Sequence, residues 1–251
     1  MLMILAAFLA TITPACPQFF VAGQPPMVPA AVEICFDGYA LGHSAADREP
    51  LWSAEHLTAA GVAAALKAKR AGDFHPEPLL PKSDRAELSD YLCADQFDRG
   101  HMTPVGDFGV VSEENDTFSL ANMVPQVDTL NEGLWAGIEG AVRQLAQHDG
   151  DLYIVTGPVF GSSPAKLKGR VTVPIATFKA VWDPATHFAS AYVAQNDASG
   201  AYKVVSIATL QEEIGFDPFP GLAPAIKAHV SDLPKPLKLD SALKARACRA
   251  K

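Results

Sequence analysis

Prolines and glycines interrupt this chain at short intervals and so limit the length of any regular element. The 251 residues include 20 prolines and 18 glycines. Proline lacks a backbone N–H and glycine readily adopts turn conformations, so this distribution favours many turns and long ordered loops over a helical bundle. Because 49% of the residues are hydrophobic, the chain also has enough apolar material for one sizeable core. Residues 16–251 are therefore predicted to form a single domain.

Hydrophobic patterns divide this domain into strands that are joined by turns. Residues 16–34 are rich in proline and are predicted to be an extended arm. Residues 72–90 are polar and turn-rich, which is typical of a long irregular loop that leads to a site. Strands are predicted for residues 33–39, 51–57, 118–123, 151–159, 171–183, 189–195 and 203–207.

Two segments have helical patterns. Residues 58–70 are rich in alanine, and residues 131–147 carry the clearest apolar stripe. The stripe consists of Leu134, Ile138, Val142 and Leu145. Asp128 and Asn131 are both candidate N-caps for the second helix.

The amino-terminal residues 1–15 are apolar and contain no charged side chain. Thr13 and Ala15 are small residues at positions −3 and −1 of a cleavage site before Cys16, so the segment is interpreted as a signal peptide. A buried first strand or helix is the alternative interpretation. An export signal predicts a secreted or periplasmic protein that has no membrane association after the signal is removed.

The four cysteines, Cys16, Cys35, Cys93 and Cys248, include no CxxC pair, which argues against a zinc knuckle. In an exported protein they can form disulfides. Four cysteines allow three pairings, and our hypothesis pairs Cys16 with Cys35 and Cys93 with Cys248. Free buried thiols are the alternative.

The formal net charge of −8 argues against a protein that holds nucleic acid passively through a broad basic face. A nuclease stays compatible with this charge, because a local patch and a divalent cation can supply the positive charge. The tail of residues 233–251 is basic and could contact phosphates, whereas the alternative is a solvated tail.

One cluster of polar residues fits the needs of phosphodiester hydrolysis, which are an activated water, charge neutralisation and help for the leaving oxygen. Asp98-Arg99-Gly100-His101 places a carboxylate, a guanidinium and an imidazole within four residues. In an extended backbone, Arg99 and His101 point to the same face. Asn131 offers an oxygen ligand for a hard cation, and Glu139 lies eight residues further along the predicted helix.

Three blocks of the sequence resemble the DNA/RNA non-specific endonuclease family, the ββα-metal nucleases with a DRGH motif. They are FDRGHMTP (97–104), SLANMVPQ (119–126) and LNEGLWAGIE (130–139), and they occur in the family's order. More diffuse similarity covers roughly residues 35–225. The resemblance implies an α+β fold with a ββα-metal core, in which helices and long loops flank a central antiparallel sheet.

The resemblance also implies roles for individual residues. His101 would be the general base that takes a proton from the attacking water. Asn131 would be the direct protein ligand of a hydrated Mg²⁺, with Mn²⁺ as an alternative, and Glu139 would hold the waters of that ion. Arg99 would contact the scissile phosphate. Asn122 would help to position the substrate or its surroundings.

The roles of two further residues are less direct. Asp98 is predicted to be structural support that anchors the loop carrying His101. His56 occurs where the best-studied branch of the family has a second arginine near the phosphate, so His56 is a candidate substrate-binding residue or only a strand residue. The departure leaves open how well the chain neutralises charge in the transition state.

The motifs contain nothing that reads base edges, so the resemblance implies cleavage of both DNA and RNA with little sequence preference. It also allows a homodimer. The competing hypotheses are a metal-dependent phosphodiesterase for small or lipid substrates and a non-catalytic binding protein on a nuclease scaffold.

Overall fold

A seven-stranded antiparallel sheet forms the centre of the fold. The computed structural model describes residues 15–69, 72–94 and 96–239. The strands are β1 (Ala31–Cys35), β2 (Ala40–Ser44), β3 (Glu49–Thr58), β4 (Phe97–His101), β5 (Met123–Val127), β6 (Asp151–Val159), β7 (Lys166–Leu167), β8 (Val171–Thr172), β9 (Ala176–Asp183), β10 (Phe188–Gln195) and β11 (Tyr202–Ser206). The large sheet has the order β1-β2-β3-β6-β9-β10-β11, and β4-β5 and β7-β8 form two small sheets.

Helices lie around this sheet. They are α1 (Ala59–Ala65), α2 (Val111–Thr117), α3 (Ala136–Asp149), α4 (Ile207–Ile214) and α5 (Pro224–Lys227). A π-helical turn, Leu130–Trp135, leads directly into α3. No helix within the described ranges is long and apolar enough to cross a membrane. The predicted signal peptide up to residue 14, and Cys248 with the rest of the tail beyond residue 239, lie outside the described residues.

The predicted strands at 51–57, 151–159, 189–195 and 203–207 are confirmed by β3, β6, β10 and β11. The prediction of one strand at 33–39 was wrong, because the chain turns there and forms the hairpin of β1 and β2. The N–H of Phe36 donates to the carbonyl of Tyr39 across this turn, at 2.8 Å. Asp37-Gly38 supplies the turn residues.

Two other strand predictions were also wrong in their bounds. Residues 171–183 form two strands, β8 and β9, with Pro174 in the interruption, where a residue without an N–H cannot donate to a ladder. In the segment 118–123, Leu120–Asn122 forms a 3-10 turn and pairing begins only at Met123.

The amino-terminal segment packs against one face of the large sheet, so the prediction of an extended arm at 16–34 was wrong. It contains two 3-10 turns, and Phe19 and Phe20 are buried in a core cluster with Trp52. The rings of Phe20 and Trp52 meet edge to face at 5.8 Å. Phe19, Phe20 and Val21 are consecutive and buried. Their burial lowers the free energy of the folded chain, which an exposed arm would not do.

The predicted pairing of Cys16 with Cys35 is confirmed, and this disulfide ties the amino-terminal segment to β1. Cys93 is also disulfide-bonded. Its predicted partner, Cys248, is one of the residues that the structure does not describe.

Helices α1 and α3 cover the other face of the sheet. Of the predicted apolar stripe, Ile138 and Val142 are buried there, and Leu134 and Leu145 are partly buried. Trp135, which is not part of the stripe, is fully buried as well. The helix starts with the π-helical turn, so Asn131 lies inside a helical turn and is not an N-cap. The predicted helix at 58–70 begins with Thr58 as its cap but ends at Ala65.

The irregular character of residues 72–90 is confirmed, apart from a short 3-10 turn at Leu88–Asp90. Side chains from elsewhere in the fold hold this loop by its backbone. His43, Arg48 and Lys168 donate hydrogen bonds at 2.8, 3.0 and 2.8 Å, and the acceptors are the carbonyls of Asp84, Ser83 and Ser89. A loop held in this way can present a side chain in a fixed position.

We expect removal of the Cys16–Cys35 disulfide to destabilise the protein, because the unfolded chain then regains the freedom of a closed loop. Replacing both cysteines by serine should lower the free energy of unfolding by about 2 to 4 kcal/mol, measured by urea denaturation. Val32→Ser, at an exposed position of β1, serves as the control. An unchanged unfolding midpoint in the double variant would contradict the prediction.

Candidate active site

Strand β4 presents the residues of the DRGH segment alternately to two sides. Asp98 and Gly100 are buried, whereas Arg99 and His101 are partly exposed, as the strand periodicity predicts. β4 pairs with β5, and the side chain of Gln126 occupies the space beside Gly100. A Cβ at position 100 would lie 2.5 Å from Cβ of Gln126, which is attached to the backbone, so this close approach requires glycine.

Arg99 and His101 face an open cavity of about 720 Å³. Its floor and walls come from β4, from the π-helical turn, from the start of α3 and from two loops. The lining residues are Phe74, Asp98, Arg99, His101, Pro104, Phe118, Asn131, Glu132, Ala136 and Glu139. The structure thus brings Asp98, Arg99, His101, Asn131 and Glu139 together, although the sequence separates the first three from the last two.

A hydrogen bond joins the two halves of this site. Nδ2 of Asn131 donates to Oδ2 of Asp98 at 2.9 Å. A carboxylate only accepts hydrogen bonds, so the amide nitrogen must face Asp98 and the amide oxygen must point elsewhere. Asp98 therefore contacts Asn131 and orients its side chain, a more specific role than the predicted anchoring of a loop.

Two phenylalanines frame the functional side chains of β4. The His101 ring packs against Phe74 and Phe118, with centroids 5.6 and 5.4 Å apart. Cζ of Arg99 lies 4.0 Å from the centre of the Phe74 ring, which is a cation–π contact. Phe74 thus restricts both Arg99 and His101.

Glu139 lies in a charged cluster that continues behind the cavity. One helical turn further along α3, Nη1 of Arg143 donates to Oδ1 of Asp107 at 2.7 Å. Burial alone would lower the pKa of Arg143, but the nearby carboxylates of Asp107 and Glu139 more than offset it and raise the pKa. Arg143 therefore compensates negative charge beside Glu139.

Glu55, on β3, is fully buried near this cluster. Burial raises the pKa of its carboxyl group well above the ordinary value, and Asp107 raises it further, while Lys179 opposes the shift. Because the neutral form is favoured, Glu55 adds less negative charge behind Glu139 than an ionised carboxylate would.

Asn122 does not line the cavity. It is fully buried, and Nδ2 donates to the carbonyls of Thr103 and Thr117 at 2.8 and 3.0 Å. Its Oδ1 accepts from the N–H of Thr103 at 3.0 Å. Of the two predicted roles, this position fits the support of the site's surroundings.

His56 does not line this cavity, so the structure does not bring it together with Arg99 and His101. Side chains alternate along β3, and His56 points to the face opposite that of Glu55. Its ring stacks on Tyr153 at 4.4 Å, and Nε2 lies 3.7 Å from Oδ1 of Asp151. His56 is a residue of the strand surface.

Sequence reasoning missed four residues around the site. Phe74, Phe118 and Glu132 line the cavity, and Arg143 lies behind it. Arg143 could have been found, because it follows Glu139 by four positions on a helix. For Phe74 the only local signal was an aromatic residue in an otherwise polar loop.

Comparison with known proteins agrees with this geometry. Residues 25–225 match the model of the family described as DNA/RNA non-specific endonuclease. A nuclease of Syncephalastrum racemosum is 39% identical over 132 residues, which cover 51% of this chain and 41% of that protein. Nuclease C1 of Cunninghamella echinulata var. echinulata is 35% identical over 161 residues, which cover 59% and 64%. The chain thus matches less than two thirds of the length of either relative.

A solved structure shows the same fold. A chain in the crystal structure of the EndoG/EndoGI complex is 25% identical and superposes with a TM-score of 0.76, covering 86% of this chain and 96% of that one. This likeness confirms the predicted α+β fold, in which the β4-β5 hairpin and α3 form the ββα-metal core. Because the family match spans most of the sequence, the chain belongs to the DNA/RNA non-specific endonuclease family.

Proposed function

We propose that this protein is a metal-dependent endonuclease that hydrolyses phosphodiester bonds of DNA and RNA. The observation that carries the proposal is that His101, Arg99 and Asn131 line the same cavity. A base, a phosphate-binding cation and an oxygen ligand for a metal ion are the groups that this reaction needs.

The residues around Asn131 fit a hydrated divalent ion. The hydrogen bond to Asp98 leaves the amide oxygen of Asn131 as the atom available to a hard cation. Among the described residues, Cys16, Glu33 and Cys35 are the only group of three His, Cys, Asp or Glu side chains that lie close enough together to share an ion. Cys16 and Cys35 form a disulfide, so we do not assign a metal ion to this group. One amide oxygen as the direct protein ligand fits Mg²⁺, which keeps most of its waters, with Mn²⁺ as an alternative.

Each side chain then has one task. His101 accepts a proton from the attacking water, and its ring is held for this by Phe74 and Phe118. Arg99 donates hydrogen bonds to the scissile phosphate. Glu139 would accept hydrogen bonds from water around a bound ion. When bound, the divalent ion supplies neutralisation of the phosphate charge and stabilisation of the leaving oxygen.

The proposed substrates are both DNA and RNA. Arg99 and a cation recognise phosphate, which is the same in every nucleotide, and carry no information about the base. Attack by water does not need a 2′-hydroxyl group. We therefore expect cleavage with little sequence preference.

We further propose that the protein is secreted or periplasmic and that residues 1–15 are its signal peptide. The Cys16–Cys35 disulfide supports this proposal, since such bonds persist in oxidising compartments. That the protein forms a homodimer stays a prediction, and a measurement of its molar mass in solution would test it.

The base assignment predicts that His101→Ala lowers the rate of cleavage by about 100-fold or more. The measurement is conversion of supercoiled plasmid and of RNA in Mg²⁺, with an EDTA sample as the metal-free reference. His148→Ala removes a histidine whose side chain is 86% exposed, and it should retain full activity. Full activity of His101→Ala would rule out the base assignment, and a wild-type protein that leaves both substrates intact would rule out the proposed function.

The contact between Asp98 and Asn131 predicts that Asp98→Ala weakens divalent cation binding by about 10- to 100-fold, since Asn131 loses the partner that orients its oxygen. Calorimetric titration with MnCl₂ measures this affinity without substrate. Asp232→Ala, at an exposed position, is the control. An unchanged affinity in Asp98→Ala would contradict the orienting role of Asp98.

A further inference from the structure

Glu132 is a charged residue of the cavity wall that the proposed reaction does not use. It follows Asn131 directly, in the first turn of the helical segment, and it lines the same cavity. An acidic side chain is electrostatically favourable at this end of a helix. Its carboxylate therefore belongs to the surface that a metal ion and a phosphate would share.

Among the described residues that line this cavity, carboxylates outnumber permanent cations. Asp98, Glu132 and Glu139 contribute carboxylates, whereas Arg99 is the permanent cation among the lining residues that the structure describes. The whole chain is acidic as well, with a net charge of −8. A polyanion that enters such a cavity meets repulsion that a divalent cation would cancel.

We propose that Glu132 makes the cavity bind a divalent cation before it binds nucleic acid. Its charge attracts the cation beside Asn131 and repels phosphate as long as the cation is missing. Glu132 is thereby a specificity-determining residue. Because of its charge, nucleic acid binds the cavity that holds a cation in preference to the metal-free cavity. The inference deepens the proposed function and rests on it.

The two effects have opposite signs, and this makes the inference testable. A change that merely disturbs the structure of the cavity would weaken the binding of both cation and nucleic acid. Removal of one negative charge should weaken cation binding and strengthen metal-free binding of nucleic acid. Both effects should shrink at high ionic strength, because salt screens charge–charge interactions at an open cavity.

The test uses the full chain with Glu132→Gln, which keeps the size of the side chain and removes its charge. Glu212→Gln changes the net charge equally at an exposed position on α4 and is the matched control. Calorimetry with MnCl₂ measures cation binding. Fluorescence anisotropy of a labelled single-stranded DNA oligonucleotide, in EDTA, measures metal-free binding.

For Glu132→Gln we expect the dissociation constant for Mn²⁺ to rise by about three- to tenfold, and that for DNA in EDTA to fall by a similar factor. Glu212→Gln should match the wild type in both. The inference is overturned if the two constants of Glu132→Gln move in the same direction or stay unchanged while wild type binds both ligands. A wild-type protein that binds neither Mn²⁺ nor DNA would overturn the proposed function itself.

Discussion

The hydrogen bond between Asn131 and Asp98 connects the two parts of the chain on which the site depends. Asp98 belongs to a strand and Asn131 to the helical segment that follows the next strand. Because one partner is ionised, the bond is stronger than a neutral one and fixes the orientation of the amide. The bond therefore links the strand of Arg99 and His101 to the helical segment that continues to Glu139.

Buried polar side chains on the large sheet form hydrogen bonds with their neighbours. Ser53 and Thr103 share a hydrogen bond of 2.5 Å, and Lys179 donates to Thr156 at 2.7 Å. All four side chains are buried. Paired polar groups specify one position, since any displacement would leave a buried donor or acceptor without its partner.

Local pattern was sufficient to predict features that depend on backbone periodicity. The alternation of Asp98 and Arg99 on β4 and the buried stripe of α3 are of this kind. Other features arise only from tertiary packing. The face on which His56 lies depends on the register of β3 with β6, and the approach of Phe74 to Arg99 depends on how a distant loop is held. The π-helical turn was not predicted, because only Leu134 of the apolar stripe lies in it, whereas the residues that it buries are Leu130 and Trp135.

The loop that carries Phe74 is held at residues 83–89 by side-chain donors that bind its carbonyl groups. Next to Phe74, the backbone of His75 is hydrogen-bonded to the backbone of Phe118 and Leu120. Every residue type has such a carbonyl, so the acceptor positions can change in evolution while the donors His43, Arg48 and Lys168 cannot change without loss of an anchor. Sequence divergence within this loop would then be a poor guide to divergence in its shape. Related chains could keep the aromatic wall of the cavity in place although the surrounding loop sequence no longer aligns.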